Sequence, residues 1–116
     1  MKTCSLETIK RSPVDMAGAE KVSKQIPISK ADGAPTFSFR VFTIEPGGHT
    51  PFHEHNSEHE NYIIEGNGVI AARNGEEYEV KKGDFALILP GEKHQYKNKS
   101  QSKSLVMICA VPKEYE

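Results

Sequence analysis

The sequence predicts an all-β fold, because three features of the chain agree on short strands joined by tight turns. Runs rich in Val, Ile, Phe and Tyr follow one another from Thr36 onward, and such runs are typical of strands. Glycine, proline and asparagine separate these runs at intervals that suit turns. No stretch repeats apolar residues at helical spacing. We therefore expect a sandwich or barrel of about seven strands.

The turns set the expected strand boundaries in the first half of this region. The first strand covers residues 36–44 ("TFSFRVFTI") and ends at "EPGG", and the next contains "NYII" and ends at "EGNG". Asn74-Gly75 then lies between two runs, and this dipeptide is a strong hairpin signal because both residues tolerate positive φ. We therefore predict a hairpin from about Val69 to Val80.

The second half of the region continues the same alternation of turns and strands. "KKGD" and "PGEK" are turns, "FALIL" and "HQYKN" are strands, "KSQSKS" is a solvated loop, and "LVMICAV" is the last strand. Because "FALIL" and "LVMICAV" are continuous apolar runs, we predict that both are buried core strands.

Length and composition indicate one domain with a polar leader. A chain of 116 residues is long enough for a single core and too short for two. Residues 1–25 are polar, weakly patterned and interrupted by Pro13 and Gly18, which is typical of an irregular segment. We expect them to form an N-terminal arm that packs on the barrel or on a second subunit, and residues 26–116 to form the barrel domain.

Charge and hydropathy argue against several classes of partner. The net charge is −1 and no long block carries one sign, so no nucleic-acid or anionic-membrane partner is expected. The N-terminal sequence has charges every few positions and no long apolar run. We therefore expect neither a secretory signal nor a membrane span, and predict a cytoplasmic protein.

Four of the five histidines are concentrated between His49 and His59. His53 and His55 are two residues apart, so on a strand their side chains leave the same face with Cα atoms about 6.5 to 7 Å apart, which two imidazoles can close onto one ion. A turn after His55 would return His59 from the next strand, and His94 opens a later strand after "LPGEK". His49 precedes the pair in a loop, where we expect it to be solvated.

Two segments carry a resemblance to a known family. "PGGHTPFHEHNSEHENYIIEGNG" resembles the first cupin motif, G-x5-H-x-H-x3,4-E-x6-G, and "GDFALILPGEKHQYKN" resembles the second, G-x5-7-P-x-G-x2-H-x3-N. The matching residues are Gly47, His53 and His55 in the first segment, and Gly83, Pro90, Gly91, His94 and Asn98 in the second. The glycine and the histidine after Pro90 each arrive one residue early. The resemblance covers about residues 35–113 and implies a single double-stranded β-helix, or jelly-roll, cupin barrel.

The first motif leaves its last ligand open between two residues. Counted back from Gly66, the position of the motif's glutamate is His59, whereas counted forward from His55 both His59 and Glu60 satisfy the gap. Strand alternation favours His59, because Glu60 then points to the opposite face, and Glu58 and Glu54 are weaker candidates. Small cupins that bind metal through four histidines are the most similar, so the predicted ligands are His53, His55, His59 and His94.

The resemblance implies one divalent metal ion and a small-molecule ligand. Manganese or iron is the expected metal, and imidazole ligands also suit nickel, copper, zinc and cobalt. If coordination is octahedral, four protein ligands leave two open positions for dioxygen and substrate. We therefore predict an oxygenase-type enzyme, a possible dioxygenase, acting on a small, partly apolar substrate. The alternatives are a non-catalytic binding or sensor cupin and a sugar-type isomerase.

Two further residues and the oligomeric state complete the predictions. Arg40 is the candidate for holding a phosphate or carboxylate, but the run "FSFRVF" does not reveal which face it occupies. Cys109, like Cys4, is expected to be a free thiol; we predict that it is a small core residue, with a thiol facing the metal site as the alternative. Small cupins commonly pair through terminal strands, so the resemblance implies a homodimer.

Overall fold

Nine β-strands and three short 3₁₀ turns form the regular structure in the computed structural model, which describes all 116 residues. The strands are β1 (Ser12–Pro13), β2 (Glu20–Ile28), β3 (Phe37–His49), β4 (His59–Glu65), β5 (Asn67–Ala72), β6 (Glu77–Lys81), β7 (Phe85–Ile88), β8 (His94–Lys97) and β9 (Leu105–Pro112). The 3₁₀ turns are Leu6–Thr8, Lys30–Asp32 and Lys113–Tyr115. The all-β prediction is confirmed, and no helix is long and apolar enough to cross a membrane.

Antiparallel pairing joins the strands into one curled sheet. Its order is β6-β5-β8-β3-β9-β4-β7, and β2 pairs with β3 on one side and with β1 on the other. The predicted hairpin is confirmed as β5 and β6, which pair from Asn67 and Lys81 to Ala71 and Glu77 around the turn at Asn74-Gly75. Because the sheet curls, the inward side chains of opposite strands face one another around a core and a cavity.

Strand β3 connects the two halves of the curled sheet. Its first part, residues 37–44, pairs with β9, while His49 at its end pairs with Lys97 of β8. The sequence predicted that "EPGG" ends this strand, and that prediction is wrong. Gly47 has a φ of +79°, which bends the strand, and hydrogen bonds from Gly47 to Asn98 and from Asn98 to Gly48 keep it paired through the bend.

The leader contains a strand that the sequence analysis did not find. β2 pairs with β3 and buries Val22 opposite Ile44, although most of its residues are polar. Residues 6–9 pack on the outer face of this strand, where the Gln25 side chain donates to the carbonyls of Leu6 and Ile9 at 2.9 Å each. The division into an arm and a barrel domain stays a prediction, and β2 runs across its boundary at residue 25.

The hydrophobic core adjoins the cavity of the curled sheet, since Val22, Tyr96 and Met107 belong to the core and also line the cavity. Its buried members are Val22, Ile44, Ile63, Ile70, Val80, Tyr96, Leu105 and Met107. β9 is buried along most of its length, as predicted. The prediction for "FALIL" is wrong, since Phe85 is 80% exposed and Leu87 is 55% exposed while only Ile88 is buried. β7 is the last strand of the sheet, and its outward side chains have no covering layer.

Candidate metal centre

A cavity of about 340 Å³ opens between the inner faces of the curled sheet. The polar and charged residues that line it are Lys24, Arg40, Thr50, His53, Glu54, His55, His59, Asn61, His94 and Tyr96. Its apolar wall is formed mainly by Val14, Met16, Val22, Phe42 and Met107. The four histidines singled out in the sequence therefore share one cavity, with polar groups on one side and apolar groups on the other.

Three of these histidines converge without any rearrangement. The ligating atoms of His53, His55 and His94 all lie within 4.8 Å of one another. His53 and His94 are held together by the backbone, because each amide donates to the other's carbonyl at 3.1 and 2.9 Å. The residues before β4 and the start of β8, far apart in the sequence, are thus locked in register at the site.

Backbone carbonyls orient two of the rings. The His94 Nδ1 donates to the carbonyl of Glu92 at 2.8 Å, and the His55 Nδ1 lies 3.4 Å from the carbonyl of Ser57. A carbonyl oxygen only accepts, so the proton of each neutral ring belongs on Nδ1. The Nε2 atom of each ring therefore keeps its lone pair, which is the arrangement that metal-binding histidines usually have.

His59 enters the cavity from β4 in a different orientation. Its ring stacks on that of His55 with centroids 3.6 Å apart and planes within 7°. Its Nδ1 lies 3.3 Å from Arg40 Nη2 and 3.8 Å from Cys109 Sγ, and its Nε2 is buried without a partner. Two parallel rings cannot both direct in-plane lone pairs at one ion, so ligation by His59 requires its ring to turn away from His55. Its role as the fourth ligand stays a prediction.

Burial lowers the pKa of all four imidazoles, because the charged form loses its hydration. The pKa of His55 falls to about 4, with His94 and His53 adding to the effect of burial. The pKa of His59 falls to about 3, with His55 and Arg40 adding to burial. All four rings are therefore neutral near pH 7, and their nitrogens are available to a divalent ion. Together with the unpartnered Nε2 of His59, this donor set fits such an ion.

The alternation predicted for β4 is confirmed. His59, Asn61 and Ile63 are buried on the inner face, whereas Glu60 is exposed on the outer face. Desolvation and the neighbouring Glu58 carboxylate raise the pKa of Glu60, and neither group faces the histidines. Glu60, the alternative to His59 as the last ligand of the first motif, thus lies on the side of the sheet opposite the cavity.

Arg40 points into the cavity, which the sequence left undetermined. Its Nη2 donates to Cys109 Sγ at 3.1 Å, its Nη1 donates to the carbonyl of Tyr115 at 3.3 Å, and its guanidinium lies 4.8 Å from the centre of the Phe42 ring. Cys109 was predicted to be a core residue. It is buried, but it lines the cavity beside His59, which corresponds to the alternative.

A hydrogen-bonded polar pair that the sequence analysis did not single out also lines the cavity. The Tyr96 hydroxyl donates to the side-chain oxygen of Asn61 at 2.8 Å, and both residues are buried. Each lies two residues after a histidine of the site, His94 or His59, so strand parity was the signal that could have found them. The pair gives the cavity a neutral polar surface beside the histidines.

Two other motif residues lie outside the cavity. His49 is the last residue of β3 rather than part of a loop, and it is half-buried with its Nδ1 3.3 Å from the Gln95 amide nitrogen. Asn98 donates to the carbonyls of Ile44 and Lys103 at 2.8 Å each. These bonds fix the connection between β8 and β9, so Asn98 supports the fold and does not contribute to the site.

Comparison with known proteins identifies the family. The cupin domain profile (Cupin_2) matches residues 40–111, more than half of the chain, and this protein therefore belongs to the cupin family. The structure of the polyketide cyclase RemF from Streptomyces resistomycificus is similar with a TM-score of 0.92 and 29% identity, covering 97% of this chain and 80% of that one. The predicted jelly-roll barrel of a small cupin is thus confirmed.

Two curated relatives match the central part of the chain. An uncharacterized protein of Methanocaldococcus jannaschii is 37% identical over 70 residues, which is 60% of this chain and 55% of that protein. The L-ectoine synthase of Vibrio campbellii is 32% identical over 73 residues, which is 63% of this chain and 56% of that protein. The matched region spans a little over half the length of these relatives.

Proposed function

We propose that this protein is a metal-dependent cupin enzyme that catalyses a non-oxidative ring closure on a small, partly apolar carbonyl compound. The observation that carries the metal is the convergence of three neutral imidazoles, with the buried and unpartnered Nε2 of His59 beside them. The likeness to a polyketide cyclase over 97% of the chain supports the reaction class.

The ion would be held by His53, His55 and His94, with His59 as the fourth ligand. Imidazole nitrogens suit manganese, iron, nickel, copper, zinc and cobalt, and we keep manganese or iron as the expected ion. Neutral ligands leave the ion its full charge of +2, so it would act as a Lewis acid that polarises a carbonyl oxygen.

The side chains of the cavity would bind and shape the substrate. The apolar residues Val22, Phe42 and Met107 cover one wall, so an apolar chain folds against them and displaces water. Among the polar residues, burial raises the pKa of the Tyr96 hydroxyl, so this hydroxyl stays protonated. It can therefore keep donating its hydrogen bond to the side-chain oxygen of Asn61. A folded chain held in this way has its two reacting carbons close together, which is the main requirement of a ring closure.

The first test is elemental analysis of protein purified without added metal. The wild type should carry close to one divalent ion per chain, and His53→Ala and His94→Ala should each lose most of it, because either change removes a ligand of the preassembled group. His59→Ala should lower the metal content and Glu60→Ala should leave it unchanged. Retention of metal in His59→Ala with loss in Glu60→Ala would overturn the proposed ligand set.

The second test separates ring closure from the oxygenase chemistry that the sequence suggested. Metal-loaded protein is incubated with a panel of linear polyketones, diketones and catechols, in air and under nitrogen, and products are read by mass spectrometry. Ring closure by condensation gives a product lighter by one water in both atmospheres. A product formed only in air with added oxygen favours the oxygenase. Recovery of every compound unchanged, with one bound tightly, favours a non-catalytic sensor.

The predicted homodimer needs a measurement of its own. Within the chain, the leader is held to β2 by the bonds from the Gln25 side chain to the carbonyls of Leu6 and Ile9. Sedimentation equilibrium on the full chain should give twice the mass of 12.9 kDa, and a value near one chain would contradict the prediction.

A further inference from the structure

We infer that Arg40 forms a carboxylate-binding subsite in the cavity, so that the ligand of this protein is a small organic carboxylate with an apolar body. This inference deepens the proposed function, because it assigns a charged group to the substrate of the same cavity. Binding to the metal-free chain distinguishes the two, so a failure of the carboxylate subsite and a failure of the metal site give different results.

The first support is that Arg40 is a buried cation without an anion. The residue is 8% exposed and takes part in no ion pair. Its hydrogen-bond partners are the Cys109 sulfur, a ring nitrogen of His59 and the backbone carbonyl of Tyr115, and none of them is a carboxylate. A guanidinium stays charged at every physiological pH, and buried charges are normally paired. The missing partner is therefore expected to be supplied by the ligand.

The second support is an unused donor. The Nε of Arg40 is buried and has no hydrogen-bond partner, whereas both terminal nitrogens are engaged. The nitrogens of a guanidinium form a planar fork that matches the two oxygens of a carboxylate. The contact with the Phe42 ring and the bond to the Tyr115 carbonyl fix the plane of this fork. A carboxylate bound at Nε would satisfy the orphan donor and the charge together.

The third support is the charge balance of the cavity wall. Two cations, Lys24 and Arg40, line it, and the single carboxylate is that of Glu54. The Glu54 side chain is half exposed and lies 3.5 Å from Arg73, so it does not neutralise Arg40. The cavity wall therefore carries an excess of positive charge that attracts anions, and the apolar residues Val22 and Met107 receive the rest of the molecule.

The test compares benzoate with benzamide, which has the same shape and no charge. Isothermal titration is performed on the full chain, both metal-free and loaded with manganese, so that carboxylate binding to the ion is measured separately. For the metal-free wild type, we expect benzoate to bind at least about tenfold more tightly than benzamide, since hydrogen bonds to charged groups exceed neutral ones by this order. Arg40→Gln should abolish the preference, and Arg40→Lys should retain part of it.

Lys24→Gln is the matched control, because it removes the other cation of the same cavity. It should keep the preference for benzoate. Equal affinity for both probes in the wild type would overturn the inference, as would a preference that survives Arg40→Gln or disappears in Lys24→Gln. None of these outcomes would change the conclusion drawn from the metal content of the ligand variants. Conversely, a wild-type chain that carries no metal would not affect this measurement, because benzoate binding is determined on metal-free protein.

A second measurement on the wild type covers the case in which Arg40→Gln does not fold. The chain has three arginines, and Arg11 and Arg73 are exposed. In ¹H–¹⁵N spectra of arginine side chains, the Nε–H of Arg40 should therefore be the one protected from exchange with water. Benzoate should shift this signal and leave those of Arg11 and Arg73 in place. An unchanged Arg40 signal at saturating benzoate would contradict the subsite.

Discussion

The two faces of the same sheet differ in a way that reverses the usual rule for polar and apolar residues. One row of paired residues across β3, β9, β4 and β7 is Arg40, Cys109, Asn61 and Ala86, and it lies on the inner face of the sheet. The adjacent row, displaced by one residue on each strand, is Phe39, Ala110, Glu60 and Leu87, and it faces outward. A cation and an amide are thus buried, while a phenylalanine and a leucine are exposed.

This difference shows that alternation, and not hydrophobicity, separates the functional face from the rest. A strand with apolar side chains on its outer face looks like a core strand in sequence, as β7 does. Conversely, a strand with polar residues on its inner face can still belong to the functional site, because those residues line the cavity.

Gly66→Ala should disturb both faces of β4 at once. Gly66 follows this strand with a φ of +81°, and a Cβ there would overlap the carbonyl of Ser104, so the chain cannot keep its path. We expect a loss of roughly 3 kcal/mol or more in the free energy of unfolding, measured by urea denaturation. Gly75→Ala is the control, since its φ is similar at +86° but nothing lies within 4 Å of the added carbon. It should cost about 1 kcal/mol, and equal losses would argue against the overlap.

Truncation of an inner and an outer aliphatic side chain should give unequal losses of stability. Ile63 on the inner face of β4 is 1% exposed, and Ile63→Ala should lower the free energy of unfolding by about 3 kcal/mol because it leaves a cavity. Leu87→Ala on the outer face should cost less than about 0.5 kcal/mol. Both values come from urea denaturation of the metal-free protein. Similar losses would mean that the outer face is covered in solution.

Acid should destabilise the metal-free protein through the inner face. The histidine pKa values are lowered on folding, so between pH 6.5 and about 4 the unfolded chain binds protons that the folded chain does not. This contribution is fully present above pH 6.5 and is lost as the pH falls through the folded values. We expect a loss of roughly 2 kcal/mol over this range, reduced by partial exposure of the rings.

Urea denaturation at a series of pH values measures this effect. His59→Gln should flatten the profile, because it removes the ring with the lowest pKa. Glu60→Gln is the outer-face control and should not reduce the loss, since the pKa of Glu60 is shifted upward, in the direction that favours the folded state in acid. A stability that is constant from pH 6.5 to 4 in the wild type would contradict the prediction.

The smallest expected effect concerns the polar pair of Tyr96 and Asn61. Tyr96→Phe removes the bond to Asn61 and leaves the side-chain oxygen of Asn61 without its donor. The free energy of unfolding should fall by about 1 kcal/mol, while the metal content stays that of the wild type. Tyr78→Phe is the control, because that hydroxyl is exposed and should contribute little. Loss of metal in Tyr96→Phe would show that the pair also positions the histidines.

The sequence predicted those parts of the fold that local rules determine. The hairpin at Asn74-Gly75 and the strands around "HQYKN" and "LVMICAV" follow from turn chemistry and apolar runs. β2 was missed because its pairing with β3 depends on partners distant in sequence and its own residues are mostly polar. β7 was correctly predicted as a strand, but its burial was not, because an apolar run does not reveal that the strand lies at the edge of the sheet.

The sequence predicted which residues line the candidate site better than it predicted how their side chains are oriented. The spacing of His53, His55 and His94 brought three rings into one cavity, and parity placed His59 there as well. The direction of Arg40 was not predictable, because "FSFRVF" has large side chains on both faces and shows no alternation. The stacking of His59 on His55 depends on ring torsions that no spacing rule determines.

The backbone bridge between His53 and His94 has a consequence for the order in which the native state is reached. His53 belongs to the first motif and His94 to the second, and their amides bond only when β8 has docked beside the segment that precedes β4. A chain still emerging from the ribosome cannot assemble the three-histidine group before β8 has been synthesised. An ion captured there would therefore secure a barrel that is already closed, and would slow its unfolding more than it speeds its folding.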